Sequence, residues 1–147
     1  MGRGSAETTL PPDLLARASL AGNEYAWPIS DIPTVIEAAR VANLVSFGGQ
    51  LQFRLPNGGT CECYWVEVDT YKSVDKALPW KERVLGTAVA AKADFFALQE
   101  RFDFMAEGRK AFPAYLDSLL ADGRDPADGM WFVWYLLSEV EASAKGL

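Results

Sequence analysis

The sequence predicts an α+β domain, an antiparallel hairpin with room for a third strand, packed against several helices. Three observations carry this expectation. Two runs rich in β-branched and aromatic residues, VSFGGQLQFR and CECYWVEV, flank Asn57-Gly58, the strongest short hairpin signal. Apolar residues recur at helical spacing over 32–39 and again over 80–102. A third stretch, MWFVWYLL at 130–137, is apolar throughout and suits either a buried helix or another strand.

The elements follow in order. Residues 1–8, opening MGRGS, read as a flexible start or an expression remnant, and residues 9–145 as a single α+β domain. Thr8 to Ala21 reads as a short helix. Pro11-Pro12 falls in its first turn, Gly22 stops it, and Leu14, Leu15 and Ala18 point inward. Asn23 to Pro28 is a connector that Pro28 keeps extended. Its Tyr25 and Trp27 either clamp the loop to the core or line a pocket. Ser30 to Asn43 is a helix, capped by Ser30 or Asp31, with Pro33 in the first turn. Ile32, Val35, Ile36 and Ala39 form its buried stripe, and Glu37 and Arg40 lie opposite.

A two-residue turn at Asn57-Gly58 pairs Leu55 with Thr60, Phe53 with Glu62, Leu51 with Tyr64, Gly49 with Val66 and Phe47 with Val68. Side chains alternate along a strand. One face then carries Val45, Phe47, Leu51, Phe53, Leu55, Tyr64, Val66 and Val68, for the helices to cover. The other carries Ser46, Gln50, Gln52, Arg54, Cys61, Cys63, Trp65, Glu67 and Asp69. Pro56 to Gly59 would also allow a longer loop with a bulge. The two-residue turn is preferred because it gathers the apolar positions on one side.

Beyond a polar loop at 70–78, a long helix is expected from Pro79 to Phe102. Its face is Trp80, Val84, Ala88, Ala91, Phe95, Leu98 and Phe102. Asp103 to Lys110 reads as a break, and Ala111 to Ala121 as a helix burying Phe112, Tyr115, Leu116 and Leu119. DGRDPAD at 122–128 looks like a helix start with Asp125 as cap. That cap tips 130–137 towards a helix running on through SEVEASAK. The Trp, Phe, Val and Tyr content argues for a strand beside the hairpin.

Composition excludes much. Half the residues are apolar and 12% aromatic, which excludes wholesale disorder. The net charge is −6, with 5 basic and 8 acidic residues before Val74 and 9 and 12 from it onward. No basic patch marks a nucleic-acid surface. No signal sequence or membrane-length apolar run is visible, so a soluble cytoplasmic protein is expected. Two Cys and no His make neither a zinc site nor a disulfide framework. No cofactor or metal is expected. Ser-His hydrolysis has no histidine base. Gly48-Gly49 and Gly58-Gly59 match no phosphate loop. DGRDPAD lacks the calcium-loop ligand spacing. Glu67 and Asp69, two apart beside Trp65, form a carboxylate pair of the type that general-acid chemistry uses.

The strings NEYAWPISDIPTVIEAAR, GGQLQFRLPNGGTCECYW and WFVWYLL resemble a type of small bacterial protein, about 150 residues long, with no known activity. The resemblance implies a bacterial, cytoplasmic, single-domain protein and brings no site residue with it.

The function expected from these residues is non-catalytic binding, with Gln50, Gln52, Arg54, Cys61, Cys63, Trp65, Glu67 and Asp69 as contact surface. Trp and Arg are the types that anchor interfaces. The partner would be a protein or a second copy of the chain, and an immunity-like role against a basic toxin fits the size and acidity. A small-molecule pocket lined by Tyr25, Trp27, Trp65 and Trp131 is the alternative. An enzyme using Glu67 or Asp69 stands behind it.

Overall fold

The computed structural model describes residues 6–147. The expectation for Met1 to Ser5 lies outside them. The helices are α1 (Pro12–Ala16), α2 (Ile32–Val41), α3 (Trp80–Arg101), α4 (Phe104–Ala111), α5 (Pro113–Ala121) and α6 (Glu139–Ala144). The strands are β1 (Ser19–Ala21), β2 (Glu24–Trp27), β3 (Val45–Arg54), β4 (Thr60–Asp69) and β5 (Met130–Leu137). The strands form one antiparallel sheet in the order β1-β2-β5-β3-β4. The α+β class is as expected, with five strands in place of two or three.

Residues 130–137 form the middle strand of this sheet. Phe132, Trp134 and Leu136 face the helices, while Val133 is buried on the opposite side. A strand covered on both faces loses the polar alternation that would have identified it. Asp125 does act as a cap, accepting the Ala127 N–H at 3.0 Å. It caps only the 3-10 turn Pro126–Gly129. The helix expected through SEVEASAK begins after the strand. In it, Ser138 and Glu141 make a reciprocal capping box.

The start of the chain also differs. The first helix ends at Ala16, and Ser19–Ala21 pairs with Glu24–Trp27. Gly22, read as a helix stop, instead takes φ +62° in the hairpin turn between them. Ala6 and Glu7, grouped with the loose start, are buried, and a Glu7 carboxylate oxygen accepts the Leu136 N–H at 2.9 Å.

The second helix buries Ile32, Val35, Ile36 and Ala39, as its spacing required. Asp31 sits at its cap position but makes no cap bond; its carboxylate takes the Arg17 guanidinium at 2.7 Å. The long helix buries Trp80, Val84, Ala88, Ala91, Phe95 and Leu98. The break expected at 103–110 is helical, because the Asp103 side chain caps it by accepting the Ala106 N–H. Tyr115, expected inside, is 52% exposed; Leu116 and Leu119 hold α5 to the core.

Both long helices cover one face of the sheet. The main core joins their stripes to Trp27, Leu51, Phe53, Val66, Val68, Phe132, Trp134 and Leu136. Phe132 is its centre, edge-on to Phe95 at 5.1 Å and stacked with Phe104 at 6.0 Å. A smaller cluster of Val45, Tyr71, Trp80, Val84, Leu137 and Ala142 adjoins it.

The hairpin register differs from expectation by one residue near the turn. Arg54 faces Thr60, Phe53 faces Cys61, Gln52 faces Glu62 and Leu51 faces Cys63. Pro56 is the cause. Its fixed φ suits the second position of a turn from Leu55 to Gly58, closed by the Gly58 N–H on the Leu55 carbonyl at 2.9 Å. Gly58 follows at φ +89°, giving a three-residue loop in place of two. The Leu55 N–H then reaches the Gly59 carbonyl at 2.8 Å. One residue of slip turns the start of β4 over. A bulge corrects it: Gln50 faces Glu67, so Tyr64, Trp65 and Val66 oppose nothing. Val66 at the end of the bulge and Val68 beyond it are buried, as the sequence suggested.

Two glycines test the packing. A Cβ on Gly49 would lie 1.8 Å from the Val133 carbonyl oxygen, whereas one on Gly86 meets nothing within 4 Å. Gly49→Ala should lower stability by about 1–3 kcal/mol, as overpacking does. Gly86→Ala should raise it by up to about 1 kcal/mol, because alanine is the better residue inside a helix. Urea midpoints measured on the two variants check both signs.

Candidate functional site

The expected contact face is dispersed by the register. Cys61 and Cys63 are buried in the main core, on the helix side of the sheet. They left the polar face when the three-residue loop inverted the start of β4. Trp65 sits in the bulge and turns towards the helices, its indole N–H donating to Glu107 of α4 at 2.8 Å. Gln52 and Arg54 keep the expected face but are buried. Gln50 is half-buried, and Glu67 and Asp69 are exposed. Ser46, also placed on that face, is buried: its N–H donates to Thr87 of α3 and its hydroxyl accepts from Trp134.

The burial of Gln52 and Arg54 has a mechanical cause. The Arg54 Nη1 donates to the carbonyl of Ser19 at 2.6 Å and to its hydroxyl at 3.0 Å. Nη2 donates to the Glu24 carbonyl at 3.1 Å, and Nε to Gln52 Oε1 at 2.7 Å. In the hydrogen-bonding order β1 is three strands from β3. In a flat sheet that is about 14 Å, beyond an arginine's reach. The sheet is therefore curled, and the β1–β2 hairpin closes over the face opposite the helices.

The polar row continues outward. Gln52 and Gln50 both donate to Glu62 Oε1, at 3.4 and 3.2 Å. On the inner side the Tyr135 hydroxyl donates to Glu24 Oε2. Burial lowers the Arg54 pKa from its ordinary value, and Glu24 and Tyr135 oppose that through space.

The aromatic pocket does not form as expected. Trp27 is wholly buried and donates its indole N–H to the Leu14 carbonyl at 2.8 Å. Tyr25 stacks on it at 6.2 Å. The two clamp the first helix to the sheet, which is the other reading of this pair. Trp131 does line a cleft, of about 290 Å³, with Ser19, Arg54, Pro56, Arg124 and Asp128. Glu67 and Asp69 share two shallow clefts of about 230 and 170 Å³, one towards α3 and one towards Phe47 and Gln50.

The outer edge of β4 is the feature that sequence reasoning missed. Among the described residues no strand pairs with it. Since Leu55 bonds Gly59, alternation sends the backbone groups of Cys61 and Cys63 to β3 and those of Thr60 and Glu62 outward. Tyr64 is 68% exposed and stands edge-on to Trp65 at 5.2 Å. The missed signal was Pro56, which fixes the loop length and thereby sends Tyr64 outward.

Among the described residues no cluster of three or more candidate metal ligands forms, and no helix is long and apolar enough to cross a membrane. Comparison with family models, curated proteins and solved structures found no match for this chain.

Burial pushes the Cys63 thiol up to about 12, with Cys61 and Glu107 adding to the effect; burial raises Cys61 as well. Both are neutral thiols near pH 8. Ellman's reagent at that pH should find no rapidly reacting thiol in the folded protein and two after denaturation. A thiol raised in the folded state favours folding below its unfolded pKa. Stability should therefore decline as the pH climbs from about 9 towards 12, which denaturant midpoints across that range will read.

Proposed function

We propose that this protein is a non-catalytic interaction module that takes an extended segment of a basic protein along the outer edge of β4. The observation that carries the proposal is the open edge itself. Its outward backbone groups at Thr60 and Glu62 supply a ladder for strand addition, which gives such complexes their affinity. Tyr64 and Trp65 supply apolar anchors beside it. Glu62, Glu67 and Asp69 set the preferred charge, with no Lys or Arg between residues 60 and 69. The net charge of −6 favours encounter with a cationic partner.

The same charges disfavour a second copy of the chain as the occupant. Antiparallel self-pairing would bring acid against acid, and like charges across a ladder destabilise it. Carboxylate catalysis loses its basis, since Glu67 and Asp69 are exposed and lack the burial a general acid requires.

The test is titration of the isotopically labelled protein with an alternating Lys-Val peptide of strand length. An alternating Glu-Val peptide is the comparison. Shifts centred on residues 60–69, with slowed exchange of the Thr60 and Glu62 amides, are expected for the basic peptide alone. Combined Glu67→Lys and Asp69→Lys should weaken binding at least about tenfold. Shifts elsewhere on the sheet, or equal binding of the acidic peptide, would overturn the assignment.

A further inference from the structure

We propose that the cleft beside the β3–β4 loop binds a small organic anion with a planar body, its charge held by Arg54 and Arg124 and its ring laid along Trp131. The cleft holds about 290 Å³, near the lower end for small-ligand sites. It lies away from the outer edge of β4 and does not depend on the reading given for that edge.

Charge balance is the first argument. Arg54 is 8% exposed. Its four hydrogen bonds all run to neutral oxygens, of Ser19, Glu24 and Gln52. No carboxylate among the described residues lies within ion-pair distance of it. Glu24 acts on it through space without an ion-pair contact, so a bound anion would add the contact charge that burial of a cation favours. A guanidinium has five N–H donors, so one on Nη2 is left over. Arg54 and Ser19, whose oxygens take Nη1, are both part of the cleft wall, which brings the guanidinium to the cleft.

The rest of the wall fits the other half of such a ligand. Arg124 is exposed and among the described residues makes no ion pair, with its backbone fixed by a bond to the Leu119 carbonyl at 2.9 Å. It is a second, mobile donor for the same anionic group. Trp131 is half-buried and offers a ring surface, while Leu55, Pro56 and Leu119 supply apolar walls. Asp125 and Asp128 on the rim oppose an anion. Both are exposed, so water and salt weaken their charge far more than that of Arg54. They also give the proposal a sign.

The experiment titrates the full chain with benzoate and phenyl phosphate, and with acetate and inorganic phosphate as ringless counterparts. Calorimetry gives the affinity, and the Trp131 indole N–H resonance reports the place. Saturable binding of an aromatic anion that shifts Trp131 is expected. Arg124→Gln should weaken it about tenfold, and Asp128→Asn should tighten it. Trp131→Leu should erase the preference over the ringless anion. Arg54 is left intact because it also holds the β1–β2 hairpin, and thermal melts confirm that the surface variants fold. The proposal is overturned if millimolar aromatic anion gives no saturable binding. Indifference to Arg124→Gln would overturn it too. Weaker anion binding in Asp128→Asn would overturn it as well, because removing a rim carboxylate should favour an anion held by the two arginines, and acetate binding as tightly as benzoate would remove the planar body.

Discussion

The Arg54 guanidinium is the tie around which this fold closes. It reaches from β3 to Ser19 and to the Glu24 carbonyl, and so fixes how far the sheet bends. The bend decides what is inside. It shelters Gln52 and Val133 on a face that no long helix covers, and it makes the cleft beside Trp131. A hydrophobic residue at position 54 would leave the Ser19 and Glu24 acceptors without this donor, and buried acceptors without donors are costly. The apolar core explains why the helices pack on the sheet. Only the polar side explains why the sheet is not flat.

Much of the architecture was legible, for identifiable reasons. The stripe Ile32, Val35, Ile36, Ala39 and the face from Trp80 to Leu98 are each buried on one side and wet on the other, so period alone reveals them. The segment 130–137 lacks that contrast because neighbours cover both its faces, and a cap five residues upstream outweighed its β-branched and aromatic content. The short strands at 19–27 were hidden for another reason. A three-residue strand has almost no period of its own and exists through its partners.

The candidate site was less legible because two local irregularities act on it in succession. A loop one residue longer than assumed inverts the beginning of β4, and the bulge at Tyr64–Val66 restores the sorting afterwards. The sequence reading placed Val66, Val68, Glu67 and Asp69 correctly and Cys61, Cys63 and Tyr64 on the wrong sides. No hydropathy pattern separates these cases, since Cys, Tyr and Trp are tolerated in both settings. The bulge and the acids along β4 are also the devices that keep an edge strand from aggregating. Protection alone would not call for Tyr64 at 68% exposure beside Trp65, and that pair favours a surface used for contact.

The position of β5 has a bearing on how the chain is born. It is the middle strand of the sheet, joined to Ala26 and Trp27 on one side and to eight residues of β3 on the other, yet among the described strands it is made last. At about 5–20 residues per second, the roughly sixty residues between Asp69 and Met130 take ~3–12 s to make. Throughout that interval the hairpins on either side wait with a vacant slot between them, so the nascent protein is exposed to misassembly until residues 130–137 arrive.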